Sequence, residues 1–252
     1  MVIWIIFNYI ILYHMKGRIG NFILDLFFPK ICFGCQKEGE YLCQDCRAIL
    51  GISGFHHPPP NFGGGQTTNL NDLYWAVEYK NPLIKNLIQK FKYEPFVKDL
   101  REPLSFLIID HFQLMDNPPP FFGGGSNFAD FLLVPVPLEK KKLKWRGFNQ
   151  AEELAKEFSS FLQIPLISDC LIKIKETLPQ AELSGKEREE NIKGVFMIRN
   201  QKKVLGKKIL LVDDVYTTGA TMEECARILR KAGAKEIIGL VIARAKPGED
   251  QF

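Results

Sequence analysis

The chain has 252 residues, 46% of them apolar, with 33 Lys and Arg against 29 Asp and Glu for a formal net charge of +4. That length and apolar content bury one substantial core and a small appendage, and leave too little for two full-sized domains. So mild a net charge excludes any argument for nucleic acid from bulk composition, and a polyanion contact has to come from the local run Lys140, Lys141, Lys142, Lys144 and Arg146.

The first 13 residues, MVIWIIFNYIILY, are almost wholly apolar. About 20 are needed to cross a bilayer, and the cations Lys16 and Arg18 follow the run instead of preceding it. No stable membrane span is expected. Residues 1–27 read as an apolar to amphipathic leader, and Met15 offers a later start that would drop residues 1–14. Next come four of the six cysteines, Cys32-x-x-Cys35 and Cys43-x-x-Cys46. Each pair presents two sulfurs to one ion, and four thiolates complete a tetrahedral zinc shell. The gap Gln36 to Leu42, with Gly39 inside it, suits a short hairpin, so 28–50 reads as a structural zinc ribbon. A redox pair, the competing reading, is expected once and at a helix start. His56 and His57 are then surface residues, and Cys170 and Cys225 small core residues.

Two segments nearly repeat each other, PPPNFGGG at 58–65 and PPPFFGGG at 118–125. Neither can form a helix or a central strand, and both read as exposed loops. Because Pro and Gly codons are reverse complements, the pair reads as an inserted palindromic DNA element. Between them, Leu83, Ile84, Leu87, Ile88 and Phe91 recur at helical spacing. The run Phe131 to Pro137 predicts a buried strand ended by prolines, and Ala151, Leu154, Ala155, Phe158 and Leu162 predict a helix over Asn149 to Leu162. The last third predicts a strand at Lys208 to Val212, a loop at Asp213 to Thr221, a helix at Met222 to Ala232 stopped by Gly233, and a strand at Glu236 to Ile242. Alternating strand and helix signals give an α/β domain over 70–252, with a parallel-sheet core and flanking helices.

Chemistry concentrates in ILLVDDVYTTGAT, Ile209 to Thr221. Four apolar residues deliver Asp213 and Asp214 to the C-terminal edge of a sheet, where ligands of open α/β folds collect. Two neighbouring carboxylates suit the vicinal hydroxyls of a ribose and can retain a hydrated magnesium ion. Thr217, Thr218, Gly219, Ala220 and Thr221 then turn into a helix, so that N–H groups and hydroxyls converge on a phosphate. The helix dipole adds about 0.3–1 kcal/mol, while the donors supply the geometry. A side chain at Gly219 would hold the backbone away from the anion or forbid the required dihedrals. A buried strand running into a capped helix explains any two of these features and poorly explains all of them in order.

This segment resembles the phosphoribosyl pyrophosphate (PRPP) motif of type I phosphoribosyltransferases. The resemblance implies that Asp213 and Asp214 contact the ribose hydroxyls, that Thr217 to Thr221 wrap the 5′-phosphate, and that magnesium accompanies PRPP. The basic loop in VPVPLEKKKLKWRGFNQ, with Lys144, Arg146 and Gly147 before a helix, would then meet the departing pyrophosphate; a solvated basic face is the competing reading. Catalysis would fall to Asp213, Asp214 and Arg146 through positioning and charge stabilisation, since no nucleophile or single base is visible.

Taken in order, the cysteine knuckles, EYKNPLIKNLIQKFKY, VPVP with RGFNQ, KETLPQAELSGKEREENIKGVF and the PRPP loop resemble the ComF family, which includes the GntX type. The likeness runs from Phe28 through nearly the whole chain. Within the polar segment it rests on Thr177, Gln180, Leu183, Arg188, Asn191 and Phe196, whereas composition alone reads that segment as a mobile charged arm. The family implies a cytoplasmic protein of DNA uptake in natural competence, acting on single-stranded DNA with a helicase partner. Three readings remain open: an enzyme transferring ribosyl phosphate from PRPP, a non-catalytic module binding single-stranded DNA or a nucleotide, and a scaffold whose pocket binds nothing.

Overall fold

The computed structural model describes residues 29–52, 68–122, 130–175 and 191–245. The leader, the segment 58–65, residues 123–125 of the second Pro/Gly segment, His56 and His57, and Thr177 to Arg188 of the polar arm lie outside the described residues. The chain divides into two units, residues 1–49 and 50–252.

The first unit is a knuckle hairpin. Ile31 bridges Glu38 in antiparallel fashion, the Cys32 N–H donates to the Lys37 carbonyl at 2.9 Å, and the Gly39 N–H donates to the Lys30 carbonyl at 2.8 Å. Gly39 sits at φ 117°, a conformation the missing side chain permits. Phe33 stacks on Tyr41 with centroids 5.8 Å apart. The second cysteine pair opens a short helix α1 (Gln44–Ala48), whose N-cap is Cys43.

In the second unit, the apolar runs form a sheet of β1 (Asp72–Glu78), β2 (Phe131–Pro135), β5 (Lys208–Tyr216) and β6 (Glu236–Arg244). Their order is β1-β6-β5-β2, and every pairing is parallel. Strands this continuously apolar need cover on both faces. Helices α3 (Arg101–Leu114) and α5 (Gln150–Leu162) pack on one face. On the other lie α6 (Ala220–Lys231) and a hairpin of β3 (Leu171–Lys173) with β4 (Phe196–Ile198). Helix α2 (Pro82–Lys92) starts on an Asn81 cap that accepts from the Leu83 and Ile84 N–H groups and buries Ile84, Leu87, Ile88 and Phe91. No helix among the described residues is long and apolar enough to cross a membrane.

Several expectations need correcting. Strand β1 and helix α3 have no counterpart in the sequence reading: α3 buries residues around much of its circumference, His111 and Ser105 included, which erases the amphipathic stripe. The basic stretch is helical rather than a loop, forming α4 (Lys140–Arg146) and ending at Gly147 with φ 83°. The loop expected over Asp213 to Thr221 shrinks to three residues, because β5 continues to Tyr216 and α6 begins at Ala220. Part of the polar arm is core: Ile192, Val195 and Phe196 are buried against Leu171 and Cys225.

The second Pro/Gly segment is not simply an exposed loop. Pro119 is buried, and Phe121 is 0% exposed, with ring centroids 5.8 Å from Tyr74, 5.5 Å from Phe112 and 5.6 Å from Phe131. Three consecutive prolines stiffen the chain without supplying ladder donors, and the aromatic residue after them anchors it under α3. Phe121→Ala is expected to lower the unfolding free energy by about 3–5 kcal/mol, read from the urea midpoint. An unchanged midpoint would return the segment to the surface.

Candidate functional site

At the C-terminal edge of the sheet, a cleft of about 270 Å³ opens between the ends of β2 and β5 and the start of α6. Asp213, Asp214, Thr217, Thr218, Gly219, Ala220, Thr221 and Arg146 all line it. Lys144 and Gly147 do not; Lys144 is exposed, and Lys142, one helical half-turn earlier, reaches the cleft in its stead.

Successive residues of a strand point to opposite sides, and this separates the two carboxylates. Asp214, 4% exposed, meets the ammonium of Lys92 at the end of α2, with Nζ to Oδ1 at 2.9 Å. Asp213 turns toward α6, where its charge is felt by the Cys225 thiol. The Asp214 N–H donates to Asp213 Oδ1 at 2.9 Å. Burial and the adjacent Asp214 charge push the Asp213 carboxyl up to about 8, against the opposing pull of Lys92. Lys92 itself is shifted upward: burial disfavours its charge, but Asp214 and Asp213 outweigh that cost. Burial holds the Arg146 guanidinium below its ordinary range, opposed by the Asp214 charge, and it lies 5.9 Å over the Tyr93 ring.

The turn before α6 is shaped by one glycine. Gly219 has φ 79°, and a Cβ there would collide with the Tyr216 ring, so the position is closed to other residues by both backbone and space. The Ala220 N–H meets the Thr218 hydroxyl at 3.4 Å. Asn149 ties the neighbouring wall together, accepting from the Ala151 N–H at 3.2 Å as the cap of α5 and donating to the Val136 carbonyl at 3.0 Å. The segment RGFNQ therefore fastens the exit of β2 to the start of α5.

Sequence reasoning missed Lys92, Glu139 and Lys173, which also line the cleft, as does Gln150 of the RGFNQ stretch. The signal for Lys92 was present, as a lysine closing an amphipathic helix; what was hidden is that the helix ends beside β5. Lys173 opens a charged, aperiodic run whose composition gives no strand signal.

In the first unit, Cys32, Cys35, Cys43 and Cys46 bring their sulfurs within 4.8 Å of one another. Sulfurs about 2.3 Å from one tetrahedral ion stand roughly 3.8 Å apart, and Cys35 and Cys43 are at 3.6 Å. The donor set fits structural zinc. Cys170 and Cys225 are buried and thiol-protonated, burial pushing Cys170 up to about 11.

A family model described as "Phosphoribosyl transferase domain" matches residues 144–251. Competence protein F of Haemophilus influenzae is 39% identical over 114 residues, which cover 45% of this chain and 50% of that protein. DNA utilization protein YhgH of Escherichia coli is 35% identical over 105 residues, covering 42% and 45%. The chain thus spans about half the length of these two relatives. Competence protein ComFC of Streptococcus pneumoniae is 34% identical over 214 residues, covering 80% of this chain and 87% of that protein.

The elevated Asp213 value carries a stability consequence. In the unfolded chain an Asp titrates near 3.9, whereas in the fold Asp213 holds its proton up to about 8. A carboxyl raised in this way favours folding most below the unfolded value, and the benefit declines as pH rises from about 4 to about 8. Asp213→Asn is therefore expected to be more stable than the wild type at pH 9, with the gap closing toward pH 4, in urea midpoints taken across that range. Parallel curves would contradict the assigned environment.

Proposed function

Because the chain belongs to the ComF family of phosphoribosyltransferase-like proteins, we propose that its cleft binds PRPP with magnesium and transfers the ribosyl phosphate to an acceptor, in a cytoplasmic role linked to DNA uptake. The observation that carries this reading is the convergence of Asp213, Asp214 and the turn Thr217 to Thr221 on one cleft at the C-terminal end of β5. The names of the relatives, competence proteins and a DNA utilization protein, support the cellular role.

On this reading, the first N–H groups of α6 and the hydroxyls of Thr217, Thr218 and Thr221 hold the 5′-phosphate, a phosphate oxygen replacing the long contact between Ala220 N–H and Thr218. Asp213 and Asp214 accept hydrogen bonds from the ribose hydroxyls. Arg146 and Lys142 stabilise negative charge as it gathers on the departing pyrophosphate, with Lys144 adding to the field from the exposed side of α4. Asp213, which lines the cleft and holds its proton up to about 8, would give up that proton on meeting a hydrated magnesium ion, whose charge favours the carboxylate and which takes carboxylate oxygens as donors; when bound, the ion would neutralise pyrophosphate charge. The role of Cys32, Cys35, Cys43 and Cys46 is structural, holding zinc and thereby the hairpin of the first unit.

One feature favours a second reading. Trp145 is 57% exposed and Tyr93 48% exposed beside the cationic face of α4. Aromatic faces among lysines suit the bases and phosphates of single-stranded DNA, so a non-catalytic module working with a competence helicase is the alternative.

Calorimetric titration with PRPP and magnesium tests the first reading. The wild type is expected to bind, and the Asp213→Asn, Asp214→Asn double variant to bind at least about tenfold more weakly, the loss of one charged hydrogen bond. Equal binding by both proteins removes the acidic pair from the site. Affinity for single-stranded DNA that falls steeply with salt, together with no PRPP binding, would favour the second reading.

A further inference from the structure

The sequence from Asn191 to Val212 contains no Asp or Glu, yet it carries Lys193, Arg199, Lys202, Lys203, Lys207 and Lys208. Its centre reads KKVLGKK, a leucine between two lysine pairs. This stretch lies away from the cleft, at the other end of the sheet: Lys208 opens β5, and Asp213 follows about 17 Å further along the strand.

Leu205 is 61% exposed and nevertheless held in place. The Gly206 N–H donates to the Gly233 carbonyl and the Lys235 N–H to the Lys207 carbonyl, both at 2.8 Å, so the segment before β5 is laced to the segment before β6. Leu205 lies over Gly233, where an added Cβ would collide with its side chain. The cations around it are only partly compensated. Lys203 meets Asp169 at 2.8 Å, Lys208 meets Glu236 at 3.0 Å, and Lys207 stands 3.8 Å from Asp130. Lys202 and Lys235 are exposed and have no ion pair among the described residues. Lys231 answers the C-terminal dipole of α6, but Lys235 lies beyond that helix and Lys202 on another segment.

A lone exposed leucine is ordinary on a protein surface. One fixed among uncompensated lysines offers a partner an apolar contact and charge complementarity together. The chemistry also separates this face from that of α4. Trp145 and Tyr93 there can stack on bases, whereas the exposed apolar groups of the acid-free stretch, Met197 and Leu205, have no ring to stack.

We propose that Leu205, with Lys202, Lys207 and Lys235, forms a docking site for an acidic, leucine-bearing segment of a partner protein. An apolar side chain of the segment packs on Leu205, and its carboxylates meet the lysines. Docking at this end of the sheet leaves the cleft open, and the site stands independently of what the cleft binds.

The probe is a synthetic labelled peptide with leucines every three or four residues among glutamates, titrated into the full chain by fluorescence anisotropy. A peptide with serine in place of leucine and a single-stranded oligothymidylate are run beside it. The wild type is expected to bind the leucine peptide about tenfold or more tightly than the serine peptide. Lys202→Glu with Lys235→Glu, a change at two exposed positions, is expected to weaken the leucine peptide about tenfold or more at low salt, the difference shrinking at about 0.15 M salt. Leu205→Ser is expected to weaken it about fivefold or more. A peptide with lysine in place of glutamate is expected to prefer the charge-reversed variant to the wild type, and thermal midpoints check folding. Failure of the wild type to bind the leucine peptide, equal binding of the leucine and serine peptides, or equal binding by wild type and variants overturns the site. Oligothymidylate binding that is lost in the charge-reversed variant, with peptide binding unchanged, overturns the choice of partner.

Discussion

Two adjacent carboxylates at the end of a buried parallel strand are the constraint on which the rest of the site depends. Burial and the charge of the adjacent Asp214 both oppose ionisation of Asp213. The fold answers in two ways. Strand alternation sends Asp214 to the α2 side, where Lys92 meets it at 2.9 Å, and Asp213 to the α6 side, where its proton is retained up to about 8. The doublet that looks symmetrical in sequence is therefore two chemically different acids. A cationic ligand fragment would find one carboxylate already paired and the other poised to ionise.

Everything around this edge serves to hold it still. The sheet is apolar on both faces, and two helix ends meet at the cleft: α2 closes on Lys92, and α6 begins at the Gly219 turn. The β3/β4 hairpin is fastened to α6 by Glu224, which is 6% exposed, accepts the Gly194 N–H at 2.9 Å and takes a fork from Arg227 at 2.6 and 2.7 Å. Its partners hold the Glu224 carboxyl below the usual range in spite of burial. A hairpin tied down in this manner brings Lys173 and Phe196 to the cleft as fixed groups.

How much of this could be read from residues alone varies with the kind of signal. The run Ile209 to Thr221 was legible because strand, acids, threonines and glycine are contiguous, and the cysteine pairs because metal ligands have a fixed spacing. Element ends were less legible. Asp213 and Asp214 interrupt the apolar run, so the strand seemed to end before them, yet β5 goes on to Tyr216 because β6 continues to pair with it through Arg244. Helix α4 carries so many lysines that it reads as a loop, and its capping glycine was the overlooked sign of a helix. Contacts between distant segments left no local trace: nothing near Lys92 announces Asp214, and nothing near Phe121 announces Tyr74.

The central claim is that Asp213 sits in a buried, like-charged environment relieved by Lys92. Carbon-13 NMR titration of the Asp213 side-chain carboxyl, in the wild type and in Lys92→Met, tests it most directly. The account predicts a midpoint of about 8 in the wild type and a higher one once the neighbouring ammonium is removed. Midpoints near 4 in both proteins, the ordinary value for an aspartate, would contradict it.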